Sequence, residues 1–142
     1  DRLASDLLFQ LLDDAQKHFP KQTPCINIVS GRQTIPLLLS DIVSVVNDAH
    51  YLDICTKDGK HLRSRMTAEN FLRLTGHDPR FLSVNRGILV NADYIHALTK
   101  KACILTDGTS FPVRVRDSQK LENALRQYHF SWLRSEHHHR HT

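Results

Sequence analysis

Long apolar runs are missing from this sequence of 142 residues. The longest ones, such as residues 35–39 and 42–46, fall far short of the roughly 18–20 apolar residues that a membrane-spanning helix needs. A transmembrane helix is therefore excluded, and we expect no membrane partner. The chain also begins at Asp1 without an initiator Met and shows no signal-peptide pattern, so we expect a fragment of a longer, non-secreted protein.

Cysteine is scarce as well. Cys25, Cys55 and Cys103 are odd in number and widely spaced, which argues against both a disulfide framework and a zinc knuckle. Each lies in an apolar stretch, so we interpret them as small buried hydrophobes of a cytoplasmic protein.

Enzyme signatures are absent too. The sequence has only five glycines and contains no glycine-rich phosphate loop, no Gly-x-Ser-x-Gly turn and no His-Glu-x-x-His motif. We therefore predict no catalysis, no cofactor, no bound metal and no small-molecule substrate. An enzyme of an unfamiliar type remains the weakest of the alternatives.

The charge is moderately positive. Nineteen Lys and Arg against fifteen Asp and Glu give a net charge of +4, and residues 25–133 hold fourteen of the basic and ten of the acidic residues. Basic residues cluster within 57–65, at 100–101 and at 114–116. Such clusters are compatible with a polyanionic partner such as nucleic acid, although solvation alone also accounts for surface charges of this density.

Residues 1–24 have the pattern of an appendage. Leucines at 3, 7, 8, 11 and 12 follow helical spacing, which predicts an amphipathic N-terminal helix that ends before Pro20. Pro20 and Pro24 then bound a short linker. The leucine face is a candidate surface for homodimer formation, and it is also a candidate linker to a preceding domain.

After Pro24 the periodicity changes to two, which predicts a mainly β domain over residues 25–133. The expected strands are 25–30, 33–39, 42–46, 50–56, 61–66, 81–90, 95–99, 102–106 and 110–115. Glycine-containing turns at 30–31, 57–60 and 106–108 predict antiparallel pairing of the strands that flank them.

Two further helices are expected in or after this domain. One is short and internal, with Thr67 as its N-cap and Gly76 at its end. The other spans about 117–134 and carries a stripe at Leu121, Leu125, Tyr128 and Trp132, which either the core or a partner could bury. We interpret the His-rich tail, 134–142, as disordered and not as a metal site.

An ordered set of motifs carries a family resemblance. It comprises residues 81–91 (FLSVNRGILVN), 93–95 (DYI), 102–108 (ACILTDG) and 111–113 (FPV), preceded by 39–42 (LSDI). Together they resemble the LytTR-type DNA-binding domain, the output module of many bacterial response regulators, over roughly residues 25–130.

The resemblance implies a domain of short antiparallel sheets that contacts DNA through loops and not through a recognition helix. Members of this family set loops into successive major grooves of direct-repeat promoter sites. The resemblance therefore implies a cytoplasmic transcription regulator that binds double-stranded DNA sequence-specifically.

The same resemblance indicates which residues meet DNA. By position in the motif, base contacts are expected from His50, Asn85, Arg86 and Arg116, whose side chains suit the edges of purines. Phosphate contacts are expected from Lys57, Lys60, Arg114 and Lys120. Simple solvation of His50 and of the basic side chains remains the alternative explanation.

Two positions depart from the family pattern. Arg114 stands where Ser usually follows Pro-Val, and Asn85 replaces the usual His before the central Arg. A base preference therefore cannot be transferred from the family. The main alternative function is a protein-interaction or dimerisation module that kept the fold without DNA binding, with the leucine face and the Leu121 stripe as docking surfaces.

Overall fold

A computed structural model describes the backbone of residues 24–140 and the side chains of residues 24–131. Ten β-strands lie in this range: β1 (Cys25–Ser30), β2 (Gln33–Leu38), β3 (Ile42–Asp48), β4 (Tyr51–Thr56), β5 (His61–Ser64), β6 (Phe81–Asn85), β7 (Ile88–Asn91), β8 (Ile95–Leu98), β9 (Ala102–Leu105) and β10 (Ser110–Pro112). Two α-helices accompany them, α1 (Ala68–Leu74) and α2 (Val115–Arg140). Two short 3₁₀ helices, Leu39–Asp41 and Ala92–Tyr94, lead into β3 and β8.

The strands form three antiparallel sheets. The central sheet has five strands in the order β5-β4-β3-β7-β6. The hairpin β1-β2 forms a second sheet, and β10-β9-β8 form a third. The prediction of a mainly β fold with short antiparallel sheets, an internal helix and a C-terminal helix is confirmed for the described residues.

The central sheet is covered on both faces, which is why residues 42–45 of β3 are all buried. On one face β1 and α1 close a first core, whose buried members are Ile26, Ile28, Leu39, Ile42, Val45, Leu52, Ile54, Phe71, Phe81 and Leu89. On the other face the third sheet and α2 close a second core, with Val43, Leu82, Val84, Val90, Ala92, Cys103, Leu105, Val113 and Leu121. At the two ends of its strands the turns remain exposed, at residues 49–50 at one end and at 57–60 at the other.

One predicted strand is divided in two. Residues 81–90 were expected to be continuous, yet the chain turns at Arg86 and Gly87 to form the β6-β7 hairpin. Gly87 has φ +80°, and a Cβ built there would lie 3.1 Å from the Cβ of Asn47. Glycine therefore permits both the turn and its close approach to β3.

The predicted signals for α1 are confirmed. The Thr67 hydroxyl accepts a hydrogen bond from the backbone N–H of Asn70 at 3.1 Å, and Gly76 follows the helix with φ +67°. The three glycine-containing turns predicted from the sequence also join antiparallel strand pairs, β1-β2, β4-β5 and β9-β10.

The C-terminal helix is longer than expected. It begins at Val115 and continues to Arg140, because no Gly or Pro interrupts this range. It thus enters a segment for which the sequence predicted disorder. Leu121 is buried in the second core, and Ala124, Leu125 and Tyr128 pack against it, so core packing accounts for this part of the stripe.

Some predictions lie outside the described part of the chain. The N-terminal helix and its leucine face fall in residues 1–23, and the side chain of Trp132 is likewise not described. None of the helices within residues 24–140 is long and apolar enough to cross a membrane.

Candidate nucleic-acid interface

One end of the central sheet brings several predicted site residues together. The β3-β4 turn at Ala49 and His50, the β6-β7 turn at Arg86 and Gly87, and the segment that enters α1 all lie at this end. The backbone N–H of Asn47 donates to the carbonyl oxygen of Gly87 at 2.7 Å. This bond extends the β3-β7 pairing and fixes the two turns beside each other.

A first groove of ≈ 630 Å³ opens between these turns and α1. His50 and Arg86, two of the predicted base contacts, both line it. Arg65, which follows β5, lines it as well. The remaining lining residues are neutral: Asn47, Ala49, Met66, Thr67, Ala68, Asn70 and Gly87. A groove with two guanidinium groups, an imidazole and no carboxylate favours an anionic ligand.

A second groove of ≈ 440 Å³ lies between β6 and the start of α2. It is lined by Asn85 and Arg86 on the strand side and by Arg114 and Lys120 on the helix side, with Asp117 as its one acidic residue. Arg86 thus borders both grooves. We call the surface formed by His50, Arg65, Arg86, Arg114 and Lys120 the two-groove surface.

Asn85 has structural hydrogen bonds at this surface. Its side-chain oxygen accepts from the backbone N–H of Arg86 at 2.7 Å, and its Nδ2 donates to the carbonyl oxygen of Pro112 at 3.1 Å. These bonds connect the β6-β7 turn of the central sheet to β10 of the third sheet. The amide therefore joins the strand that carries Arg86 to the segment that carries Arg114.

Arg116 lies beside the second groove without lining it. It is the second residue of α2, and its side chain is exposed. Residues four apart on a helix share a face, so Arg116 is a neighbour of Lys120. The start of α2 therefore adds a third cation next to the pair that lines the groove.

Lys57 and Lys60 lie elsewhere. They belong to the β4-β5 turn, which β4 separates from the β3-β4 turn by about 20 Å, at roughly 3.3 Å per residue. The Nζ of Lys57 is 3.1 Å from a carboxylate oxygen of Asp41, and the hydrogen bond to that carboxylate raises the pKa of Lys57. The structure thus does not bring this turn together with the two-groove surface.

Among the described residues, the cations of the two-groove surface are unpaired, whereas neighbouring arginines are held by carboxylates. Arg63 lies 3.7 Å from Asp48 and 4.3 Å from the ring centre of Tyr51, and Arg73 pairs with Glu69 at 3.2 Å. Within residues 24–131, by contrast, no ion pair is formed by the surface cations Arg65, Arg86, Arg114 and Lys120 or by Arg116 beside them. Their charges are left available to a ligand.

Arg65 is the residue that sequence reasoning missed at this site. The sequence shows it only as a member of the basic cluster within 57–65. Its position follows from pairing, because Ser64 is opposite Leu52 and β5 therefore ends near the β3-β4 turn. A correct strand register would have been enough to find it.

The described residues include no group of three or more His, Cys, Asp or Glu side chains that could hold a metal ion. All three cysteines were expected to be buried, but only Cys103 is, whereas Cys55 is half-buried and Cys25 is exposed near the start of the β1-β2 edge hairpin. Desolvation raises the pKa of the Cys103 thiol to about 11, so it is protonated near neutrality.

The fold and this surface together define a β-rich module that presents cations from hairpin turns and a helix start. A family model for the LytTr DNA-binding domain matches residues 32–126, about two thirds of the sequence. The chain therefore belongs to the LytTr DNA-binding domain family. This is a family of DNA-binding domains and not of enzymes, in agreement with the prediction that the chain is not an enzyme.

A comparison of structures gives the same fold. The LytTr DNA-binding domain from Bacillus cereus matches with a TM-score of 0.59 over 71% of this chain and 95% of that chain, at 15% sequence identity. At this identity the match establishes the shared fold alone. No match is found among curated proteins.

Proposed function

We propose that this chain recognises double-stranded DNA in a sequence-specific way through the two-groove surface, as the output domain of a cytoplasmic response regulator. The observation that carries this proposal is the placement of Arg86 between His50 in one groove and Arg114 in the next. Membership of a DNA-binding domain family identifies the class of partner.

The shape of the turns suits the major groove. Paired strands lie about 4.8 Å apart, so a hairpin turn is narrow enough to enter a major groove about 12 Å wide. The β6-β7 turn carries Arg86, whose guanidinium can donate two hydrogen bonds to guanine O6 and N7. His50 on the neighbouring turn can donate one bond to a purine.

Other residues at or beside the two-groove surface support these base contacts. In the proposal Arg116 contacts a base from the start of α2, while Arg114 and Lys120 contact phosphates beside it. Asn85 was predicted to contact a base, but both ends of its amide hold Arg86 and β10, so we assign it a positioning role. Lys57 and Lys60 are left outside this interface because they lie at the opposite end of the sheet.

The proposal extends to the assembly on DNA. Two copies bound to a direct-repeat promoter site would each present one two-groove surface, and the leucine face within residues 3–12 would join them as a homodimer. Deleting residues 1–20 should then lower the sedimentation coefficient at a concentration where the full chain self-associates. An unchanged coefficient would remove the dimer from the proposal.

A salt titration tests the main proposal. Binding of a random-sequence duplex is measured by fluorescence anisotropy at about 50 mM and about 200 mM salt. Two to four phosphate contacts predict an affinity loss of about 10- to 150-fold between these concentrations. A loss of less than about twofold would contradict binding through this cationic surface.

A further inference from the structure

We infer that Arg65 contacts a phosphate of the DNA backbone across the first groove from Arg86. This inference rests on the proposed function and adds a contact that neither the motif nor the family resemblance indicates. Arg65 and Arg86 line the same ≈ 630 Å³ groove from two different elements, the segment before α1 and the β6-β7 turn.

The backbone on both sides of Arg65 is anchored. On one side Ser64 is buried, and its hydroxyl donates to the carbonyl oxygen of Val29 at 2.6 Å. On the other side Thr67 caps α1 through its bond with the N–H of Asn70. Arg65 therefore projects from a short, fixed segment, which lowers the conformational entropy lost when it binds a ligand.

The charge distribution leaves Arg65 without a competing partner. Among the described residues no carboxylate pairs with it and none lines its groove. Arg63, two residues earlier, is held by Asp48 and Tyr51 instead. The unpaired guanidinium is therefore available to an oxygen anion, and a bidentate phosphate contact suits it best.

Position favours a phosphate over a base. The turn that carries His50 adjoins the turn that carries Arg86, so both can reach base edges, whereas β4 and β3 separate β5, which ends before Arg65, from β7. Three strand spacings of about 4.8 Å place these positions about 14 Å apart, which exceeds the width of a major groove, about 12 Å. The rims of that groove are the two phosphate backbones, and Arg65 is placed to meet one of them.

The test compares Arg65→Gln with Arg73→Gln, which removes an equal charge from an arginine paired with Glu69 outside the groove. Affinity for a random duplex is measured between about 50 and about 200 mM salt. Loss of one phosphate contact should reduce the slope of log affinity against log salt by about 0.9. The factor by which affinity falls between the two salt concentrations should therefore be about 3- to 4-fold smaller than in wild type. Arg73→Gln should keep the wild-type slope, and Arg65→Lys should keep most of it.

A second measurement separates phosphate contact from base contact. Arg65→Gln should weaken binding to a selected duplex and to a random duplex by the same factor, because phosphates carry no sequence information. A change in the preferred sequence would overturn the assignment to phosphate. A salt slope equal to that of wild type would overturn the contact itself.

A third arm distinguishes DNA phosphate from free phosphate. When inorganic phosphate replaces chloride at constant ionic strength, the affinity for the duplex should stay the same. Competition that is present in wild type and lost in Arg65→Gln would overturn the inference in favour of a free-anion site. A wild-type chain whose binding ignores salt would overturn the proposed function, and the inference with it.

Discussion

The clearest prediction about stability concerns Asn91, the last residue of β7. Its side chain is fully buried, and its Nδ2 donates to the carbonyl oxygens of Leu39 and Ile42 at 3.3 and 2.8 Å. Its Oδ1 accepts from the backbone N–H of Asp93 at 2.9 Å. The amide thus connects both 3₁₀ helices to the central sheet.

Asn91→Ala would remove three hydrogen bonds. The carbonyl oxygen of Leu39 would still accept from the backbone N–H of Ile42, and Asp93 is exposed, so the carbonyl oxygen of Ile42 is the group left in buried surroundings. An intramolecular hydrogen bond contributes about 0.5–1.5 kcal/mol net, and a buried group that loses its partner costs somewhat more. We therefore expect a loss of about 2–4 kcal/mol in the free energy of unfolding. At about 3–4 °C per kcal/mol for a domain of this size, the melting temperature should fall by about 6–16 °C.

Urea unfolding followed by circular dichroism measures this loss. Asn27→Ala, at an exposed position of β1, is the matched control and should change the unfolding free energy by less than about 0.5 kcal/mol. A loss below about 1 kcal/mol for Asn91→Ala would refute the hydrogen-bonding role assigned to this amide.

Three further substitutions, at Gly87, Asn85 and Cys103, should change stability or DNA recognition. Gly87→Ala should lower the unfolding free energy by about 1–3 kcal/mol in urea titrations, because φ is +80° and the added Cβ approaches β3 to 3.1 Å; an effect below about 0.5 kcal/mol would contradict this. Asn85→Asp keeps the acceptor for the N–H of Arg86 but loses the donor to β10, so selection from random duplexes should give a weaker sequence preference; an unchanged preference would contradict the positioning role. Cys103 has a raised pKa of about 11, and its thiol is neutral below the ordinary thiol pKa. Its contribution to the free energy of unfolding is therefore fully present up to about pH 9 and is lost as the pH rises towards about 11. In urea titrations, the free energy of unfolding should decrease less between about pH 9 and about pH 11 in Cys103→Ala than in wild type. Equal decreases would refute the contribution assigned to this thiol.

Local patterns were sufficient to predict most of the fold. The strand-turn-strand units at Gly31, Gly59 and Gly108 and the helix capped by Thr67 depend on residues close in sequence, and their signals are strong. The hairpin at Gly87 was missed because apolar residues continue on both sides of it. Since β6 and β7 both lie between two cores, burial on both faces hides the alternation that normally marks strand ends.

The candidate site was predictable only where the family motif supplied it. Arg86 and His50 were named from motif position, and the structure places both at one groove. The distance of Lys57 from that groove depends on which end of β4 its turn occupies, and this follows from topology and not from composition. The position of Arg65 depends on the register of β5 against β4, and the hydrogen bond from Asn85 to Pro112 depends on a contact between separate sheets. Spacing along the chain reveals neither of them.

Selection of bound duplexes from a random pool, with wild type, Arg86→Ala and Lys57→Ala, shows whether the two-groove surface is the part of the chain that reads DNA. We expect wild type and Lys57→Ala to enrich the same sequence. Arg86→Ala should lose about 1–3 kcal/mol of discrimination at one base pair while still binding DNA. Equal sequence preference in all three proteins, or a loss confined to Lys57→Ala, would contradict the assignment of the DNA interface to the two-groove surface.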